Sequence, residues 1–194
     1  MPEFLLEIGT EEIPSGYIPR ALENMKGFLE KEFQNQRIAY KEIKAMGTPR
    51  RLVLTASGVA TTQEGRLTEV IGPAKRIAFN EQGEPTKAAL GFARGQGIGI
   101  EQLQVVKTDK GEYVAARKEE KGGETIQLLP AILPRLISSI SFPKSMRWMD
   151  LDITFARPIH WILALFDGQV IPFQVGNIAT GKLSRGHRFM APGS

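Results

Sequence analysis

The chain has 194 residues, of which 42% are hydrophobic and 24% charged, and it carries a formal net charge of +4. This size and composition are typical of a globular protein with one large domain or two small ones. The absence of cysteine excludes disulfides, thiolate zinc sites and a cysteine nucleophile, and the absence of a long apolar run excludes a helical membrane span.

The first third of the chain is predicted to form a strand, a helix and two further strands. Residues 4–9 (FLLEIG) are a short apolar run that predicts a buried strand, and residues 13–33 show helical periodicity. Residues 38–49 and 50–59 alternate apolar and polar side chains, which indicates two strands joined by a turn. The apolar stripe of the predicted helix consists of Ile18, Leu22, Met25, Leu29 and Phe33.

The middle of the chain is predicted to mix short strands and helices. Residues 66–86 are strand-like but interrupted by glycine and proline, whereas residues 85–97 predict a short helix with Thr86 as its N-cap. A hairpin is expected over residues 103–122. Residues 124–140 have a helical apolar stripe that contains two prolines, so we expect either two short helices or one kinked helix.

The last part of the chain is predicted to be rich in strands. Residues 152–155, 159–175 and 182–189 have strand patterns, and Asp167-Gly168 is a strong two-residue hairpin turn between apolar runs. Together, these elements predict an α+β fold with mostly antiparallel sheets and a few packed helices.

The sequence predicts a division into two subdomains, although it contains no repeat and no low-complexity linker. We place an N-terminal α+β subdomain at residues 1–65 and a second α+β subdomain at residues 66–194, with residues 120–125 as the other candidate boundary. The chain ends in GHRFMAPGS, which contains turn residues and no closing element, so we expect a fragment of a longer protein.

Three glutamates lie close together in the segment EIGTEEIP, residues 7–14. Glu7 is near the end of the first predicted strand, whereas Glu11 and Glu12 fall in the connection to the helix. Acidic groups near a helix start are stabilised by its dipole, and no histidine or further aspartate lies nearby to complete a metal site. We interpret the segment as a structural helix start, with a partner contact through Glu11 and Glu12 as the alternative.

Basic residues are interleaved with aromatic ones in several stretches. Arginine and lysine neutralise phosphates and aromatic rings stack on bases, so this pattern predicts RNA binding. The structural alternative is that Arg157 pairs with Asp150 or Asp152 and that Trp161 packs in the core. The stretches are TPRRL (48–52), FPKSMRW (142–148), FARPIHW (155–161) and SRGHRF (184–189). The predicted RNA-binding residues are Arg50, Arg51, Lys144, Arg147, Arg157, Arg185, His187 and Arg188.

The sequence contains no complete active site. No serine lies on a G-x-S-x-G turn, no set of ligands has zinc spacing, and no P-loop lysine motif is present. The glycine-rich stretch at residues 91–99 follows a predicted helix, whereas a dinucleotide fingerprint follows a strand. We therefore predict no catalytic residue, metal or cofactor in this region, and a hydrolase that uses His187 is the least favoured alternative.

Several blocks of the sequence are individually unusual. They are, in order, EIGTEEIP, TPRRL, GPA (72–74), KAALGFARGQGI (87–98), TDKGEYV (108–114), FPKSMRW, RPIHWI (157–162) and RGHRFM (185–190). Together they resemble the N-terminal part of the beta subunit of bacterial glycyl-tRNA synthetase. The resemblance runs from about residue 3 to residue 190, and the beta subunits of this family are much longer.

The resemblance implies a heterotetramer of two alpha and two beta subunits that joins glycine to tRNA-Gly using ATP and Mg²⁺. ATP and Mg²⁺ are expected on the alpha subunit, which carries the catalytic core, whereas the beta subunit supplies tRNA binding. We therefore expect a cytoplasmic tRNA-binding and assembly module that does not activate glycine by itself. The alternative is a scaffold that docks the alpha subunit without contacting RNA.

Overall fold

The computed structural model describes residues 2–109, 111–147 and 154–186. The helices are α1 (Ile18–Asn35), α2 (Lys75–Ala78), α3 (Lys87–Gln96) and α4 (Thr125–Ser139). The strands are β1 (Glu3–Thr10), β2 (Glu42–Thr48), β3 (Arg51–Ser57), β4 (Arg66–Ala74), β5 (Leu103–Thr108), β6 (Gly111–Glu120), β7 (Met146–Arg147), β8 (Thr154–Phe155), β9 (Ile159–Phe166), β10 (Gln169–Val170), β11 (Gln174–Val175) and β12 (Ile178–Gly181). Most strand pairs are antiparallel, which confirms the predicted α+β class.

The chain divides into two compact units, and the first is built from both ends of the sequence. Unit 1 comprises residues 1–64 and 123–194, and unit 2 comprises residues 65–122. The predicted boundary at residue 65 falls beside the point where the chain leaves unit 1. Residues 123–194, however, belong to unit 1 and not to the second subdomain in which the sequence placed them. The reason is that β9 pairs with β1, a long-range contact that no local pattern reveals.

Unit 1 is built on a sheet whose described strands run in the order β11, β12, β9, β1, β3, β2, with β10 paired to β9. The N-terminal strand β1 therefore lies in the middle, antiparallel to both neighbours. Strand β12 joins β9 in a parallel pairing. This central position buries the apolar run of β1 and sets the register of the strands on either side.

One face of this sheet packs against helices α1 and α4. Side chains alternate between the two faces of a strand, so Phe4, Leu6 and Ile8 of β1 point to the same side. These three residues join Met25 of α1 and Leu129 of α4 in one buried core. The predicted stripe of α1 is confirmed at Met25, Leu29 and Phe33, which are buried. Its other members, Ile18 and Leu22, are partly buried and pack against the same core. Consequently, Glu7 and Gly9 lie on the face of β1 that points away from the helices.

The chain leaves unit 1 after residue 64 and returns to it at residue 123, and hydrogen bonds within unit 1 connect these two places. The backbone N–H of Gln63 donates to the carbonyl of Gly123 (2.9 Å), and the N–H of Gly123 donates to Oε1 of Gln63 (3.0 Å). The side-chain amide of Gln63 also donates to the carbonyl of Gln36 (2.8 Å), which anchors the pair to the end of α1. Unit 1 is therefore closed by its own hydrogen bonds at the site where unit 2 is inserted.

Excision of unit 2 is expected to leave unit 1 folded. Replacing residues 65–122 with two glycines keeps the Gln63–Gly123 pairing and shortens a long loop, so unit 1 should change in stability by only about 1 kcal/mol. Urea denaturation and near-ultraviolet circular dichroism of the excised chain test this. Loss of the near-ultraviolet signal with retained secondary structure would contradict it.

Unit 2 contains a three-stranded sheet in the order β4, β6, β5, with α2 and α3 packed on one side. Thr86 caps α3, since its hydroxyl accepts a hydrogen bond from the N–H of Ala88 (3.2 Å), as the sequence predicted. The predicted hairpin over residues 103–122 is also confirmed as β5 and β6. On the exposed surface, a hydrogen bond from Lys75 (2.9 Å) and the charge of that lysine lower the pKa of Glu112.

Some predicted elements differ from the observed ones. The helix expected from residue 13 begins at Ile18, because a 3₁₀ turn over Ser15–Tyr17 precedes it. The segment with two prolines is a single helix, α4. The strand expected over residues 182–189 is wrong for its described part, since the strand ends at Gly181 and residues 183–186 carry no regular structure.

Candidate nucleic-acid interface

Three of the sequence motifs meet at one end of the unit 1 sheet. Because β1 is antiparallel to both β3 and β9, its C-terminal end lies beside the N-terminal ends of those strands. The backbone N–H of Thr10 donates to the carbonyl of Arg50 (2.9 Å), and the N–H of Glu11 donates to the carbonyl of Pro158 (3.1 Å). The segments EIGTEEIP, TPRRL and RPIHW are therefore neighbours in the fold, although they are distant in sequence.

A row of three residues crosses the helix-free face of the sheet near this end. In the strand register, Gly9 is the partner of Arg51 on one side and of Trp161 on the other. The guanidinium carbon of Arg51 lies 5.7 Å from the centre of the Trp161 ring. This distance is within the range of a cation–π contact, which spans the strand between them.

Glu7 contacts three polar side chains on this face, and only 7% of the residue is exposed. Its Oε1 accepts hydrogen bonds from Nε1 of Trp161 (2.8 Å) and from Oγ of Ser184 (2.7 Å). Its Oε2 lies 3.5 Å from Nη1 of Arg51. A buried carboxylate needs such partners, because an unpaired charge in the interior is strongly unfavourable. We call Glu7, Arg51, Trp161, Ser184 and Arg185 the Glu7 cluster.

The indole of Trp161 lies directly over Gly9. A Cβ atom placed on Gly9 would come within 2.1–2.2 Å of three indole carbons, far closer than van der Waals contact. Glycine is therefore required here by the close approach of the ring and not by its backbone conformation. The missing side chain provides the space that the indole occupies when it bonds to Glu7.

Arg185 reaches the same ring from the segment after β12. Its guanidinium carbon lies 5.3 Å from the ring centre of Trp161, and its backbone carbonyl accepts a hydrogen bond from Nη2 of Arg51. The side chain is exposed, and no carboxylate within the described residues pairs with it. Two guanidinium groups thus contact one indole, and Glu7 compensates the charge of only one of them, Arg51.

A second polar cluster lies at the strand ends and joins Glu11 to two basic residues. Its Oε2 lies 3.3 Å from Nη2 of Arg50, and its Oε1 accepts a hydrogen bond from Nε2 of His160 (2.9 Å). The sequence assigned Glu11 and Glu12 to a helix start, but the first turn of α1 contains no acidic residue. That interpretation is wrong, because the 3₁₀ turn separates these glutamates from the helix.

Arg157 is bonded mainly to the backbone. Its Nε donates to the carbonyl of Glu12 (3.0 Å), and its Nη1 lies 3.4 Å from Sδ of Met146. The alternative pairing with Asp150 or Asp152 lies outside the described residues. Arg157 therefore contacts both the segment that follows β1, at Glu12, and the short strand β7, at Met146.

The remaining predicted RNA-binding residues fall into two groups. Lys144 and Arg147 are exposed, and Lys144 forms no ion pair with any described residue. His187 and Arg188 lie outside the described part of the chain. Of the predicted RNA-binding residues that are described, the structure brings Arg50, Arg51, Arg157 and Arg185 to one end of the sheet. Arg50 forms an ion pair with a carboxylate, and Arg51 and Arg157 donate to carbonyl oxygens of neighbouring segments.

The chemistry that this arrangement offers is anion binding by guanidinium groups. Within the described residues, no group of three or more histidine, aspartate or glutamate side chains is placed to hold a metal ion. Over the same part of the chain, none of the helices combines the length and apolar character needed to cross a membrane.

Comparison with known proteins identifies the family of the chain. A model of the glycyl-tRNA synthetase beta subunit matches residues 4–194. The chain belongs to this family. It is 60% identical over 189 residues to the glycine–tRNA ligase beta subunit of Geotalea uraniireducens, a match that covers 97% of the chain and 28% of that relative.

Other beta subunits are similar to the same extent. The chain is 59% identical to that of Geobacter sp. (strain M21) over 189 residues, with 97% of the chain and 28% of the relative covered. It is 53% identical to that of Syntrophotalea carbinolica over 190 residues, or 98% of the chain and 28% of the relative. The chain thus spans about 28% of the length of these beta subunits.

The sequence missed several residues of the Glu7 cluster in this beta-subunit segment. Glu7 stands between Leu6 and Ile8 in an apolar strand, and a charged residue in such a run signals a buried partner. Neither interpretation of Trp161, as part of an RNA-binding stretch or as a core residue, predicts its bond to Glu7 and its contacts with two arginines. Ser184 has no local signal at all, because its role depends only on where the chain returns to the sheet.

Proposed function

We propose that this segment contributes tRNA binding and subunit assembly to a heterotetrameric glycyl-tRNA synthetase. In this proposal, the complete enzyme of two alpha and two beta subunits attaches glycine to tRNA-Gly in the cytoplasm. ATP and Mg²⁺ act on the alpha subunit, and the segment alone does not activate glycine. The proposal is supported by the shared family and by relatives that are named as beta subunits of glycine–tRNA ligase.

The RNA-binding part of the proposal is supported by one observation. The guanidinium of Arg185 is exposed beside Trp161, and no described carboxylate neutralises its charge. Lys144, exposed beside the β7–β8 hairpin that Arg157 contacts, adds a second cation. Cations in fixed positions on a surface attract the phosphate backbone of RNA, and each phosphate that they bind releases counterions.

Removal of two exposed cations from the complete enzyme is expected to weaken tRNA-Gly binding. Lys144→Ala combined with Arg147→Ala should lower the affinity and reduce the slope of log K against log salt by about one for each phosphate group that is no longer bound. The measurement is the dissociation constant for tRNA-Gly over a series of salt concentrations.

Lys26→Ala combined with Lys31→Ala is the matched control, because both lysines are exposed on α1 and the same charge is removed. The control should bind tRNA-Gly as the unchanged enzyme does. Equal losses in both double variants would mean that only the overall charge matters. An unchanged affinity and salt slope in the first variant would contradict the assignment of Lys144 and Arg147 to the RNA surface.

The second candidate function is a scaffold that docks the alpha subunit without RNA contact. It is favoured by the internal bonding of Arg50, Arg51 and Arg157, whose donors already meet oxygens of unit 1. A scaffold predicts that the Lys144 and Arg147 variant retains its tRNA affinity. A loss of affinity in the salt series described above would therefore exclude a scaffold without RNA contact.

A further inference from the structure

We propose that Arg185, in cation–π contact with Trp161, is a preorganised binding site for a phosphate group of the RNA backbone. This inference rests on the proposed tRNA-binding function and assigns one subsite to it. It starts from the difference between Arg185 and the other arginines of the surface, whose donors are already used by oxygens of unit 1.

Among the described residues, the guanidinium of Arg185 contacts an aromatic ring and no carboxylate. Its Cζ lies 5.3 Å from the ring centre of Trp161, while the residue remains exposed to solvent. The contact with the ring uses no oxygen acceptor, and no described carboxylate pairs with this guanidinium, so its N–H donors are available to a ligand. These donors are the ones that match two oxygens of a phosphate group.

The backbone around Arg185 is fixed by the Glu7 cluster. Ser184 donates to Oε1 of Glu7 (2.7 Å), and Arg51 donates to the carbonyl of Arg185. The indole of Trp161 is fixed as well, because it donates a hydrogen bond to Glu7 and lies over Gly9. Ordering a long side chain when a ligand binds usually costs free energy. Here the side chain of Arg185 is largely ordered before a ligand binds, so this cost is smaller.

The charges within the cluster favour an anion at Arg185. Arg51 also lies over Trp161, but its charge is compensated by Glu7 at 3.5 Å. Because Glu7 is 7% exposed and bonded on both oxygens, it is committed to Arg51, Trp161 and Ser184. One uncompensated positive charge therefore remains, and it belongs to the exposed guanidinium of Arg185.

The test measures tRNA-Gly binding by the complete alpha–beta enzyme at several salt concentrations. Arg185→Gln is expected to weaken binding about tenfold and to reduce the slope of log K against log salt by about one. Arg185→Lys keeps the charge but lacks the planar group that stacks, so it should keep the slope and lose affinity about threefold.

Lys182→Gln is the matched control, since it removes the same charge from an exposed residue nearby that stacks on no ring. It should change the affinity less than twofold, within about 0.4 kcal/mol. A loss equal to that of Arg185→Gln would overturn the inference. So would a fall of several degrees in the Tm of Arg185→Gln without tRNA, because that result would give Arg185 a structural role.

A second arm separates RNA phosphate from free phosphate. The Tm of the enzyme is compared in sodium phosphate and in sodium chloride of equal ionic strength, since a ligand of the folded state raises Tm. A phosphate-specific rise that Arg185→Gln removes, without any change in tRNA binding, would overturn the RNA subsite and assign the site to the free ion. If neither tRNA binding nor this rise depends on Arg185, the inference is overturned.

The variants also separate failure of this inference from failure of the proposed function. If the Lys144 and Arg147 variant loses tRNA affinity but the Arg185 variants do not, the subsite is wrong and the RNA-binding function stands. If all of these variants bind tRNA-Gly normally, the RNA-binding function fails as well.

Discussion

Gly9→Ala is expected to lower the free energy of unfolding by about 2–3 kcal/mol, which is large for the addition of one methyl group. The new Cβ would lie 2.1–2.2 Å from three carbons of the Trp161 indole, so the ring must move. Its movement stretches or breaks the 2.8 Å hydrogen bond to Glu7, which leaves a buried carboxylate with fewer partners. Urea denaturation of the chain measures the effect.

Gly27→Ala is the matched control, because a Cβ on this glycine of α1 meets nothing within 4 Å. Alanine is the better helix former, so this variant should gain about 0.5–1 kcal/mol. A double-mutant cycle with Trp161→Leu tests the cause of the loss at Gly9. If Gly9→Ala costs the same with and without the indole, the clash explanation is wrong.

The elements that the sequence predicted correctly are those that depend on neighbouring residues. Thr86 caps α3 through a hydroxyl two residues from the N–H it bonds, and this geometry needs no tertiary contact. Asp167 and Gly168 have positive φ values of 49° and 78°, as a two-residue hairpin turn between paired strands requires. Such features follow from local chemistry, so a single sequence reveals them.

The arrangement of the units could not be predicted in the same way. Residues 123–194 return to unit 1 because β9 pairs with β1, and the pairing depends on tertiary packing far along the chain. The predicted boundary at residue 65 marks only the first of the two passages between units. The second lies at Gly123, within the range 120–125 that the sequence offered as an alternative.

The candidate site shows the same limit. Basic residues in motifs such as TPRRL indicated anion binding, but the sequence could not tell which charges are already compensated. Arg50 and Arg51 contact Glu11 and Glu7, residues that lie some forty positions earlier and were interpreted separately. The pairing is a consequence of β1 and β3 being antiparallel neighbours. The sequence therefore predicted that arginine and lysine side chains form the candidate site. It did not predict which of them are paired within the fold and which remain exposed.

Removal of the Glu7 carboxylate is expected to be the second large effect. Glu7→Ala should lower the free energy of unfolding by about 2–3 kcal/mol, because Trp161 and Ser184 lose their acceptor and Arg51 loses its counter-charge. The Arg51 side chain is 33% exposed, so water compensates part of that loss. Glu7→Gln keeps one acceptor oxygen and should cost about half as much. Urea denaturation measures both variants.

Glu3→Ala serves as the control, because Glu3 lies on the same strand and the same face as Glu7 but is exposed. It should change stability by less than about 0.5 kcal/mol. Equal effects at Glu3 and Glu7 would mean that the Glu7 contacts do not stabilise the fold. The loss of unfolding free energy is expected to be largest for Glu7→Ala, smaller for Glu7→Gln and smallest for Glu3→Ala. This order follows because the buried carboxylate of Glu7 joins three segments of unit 1.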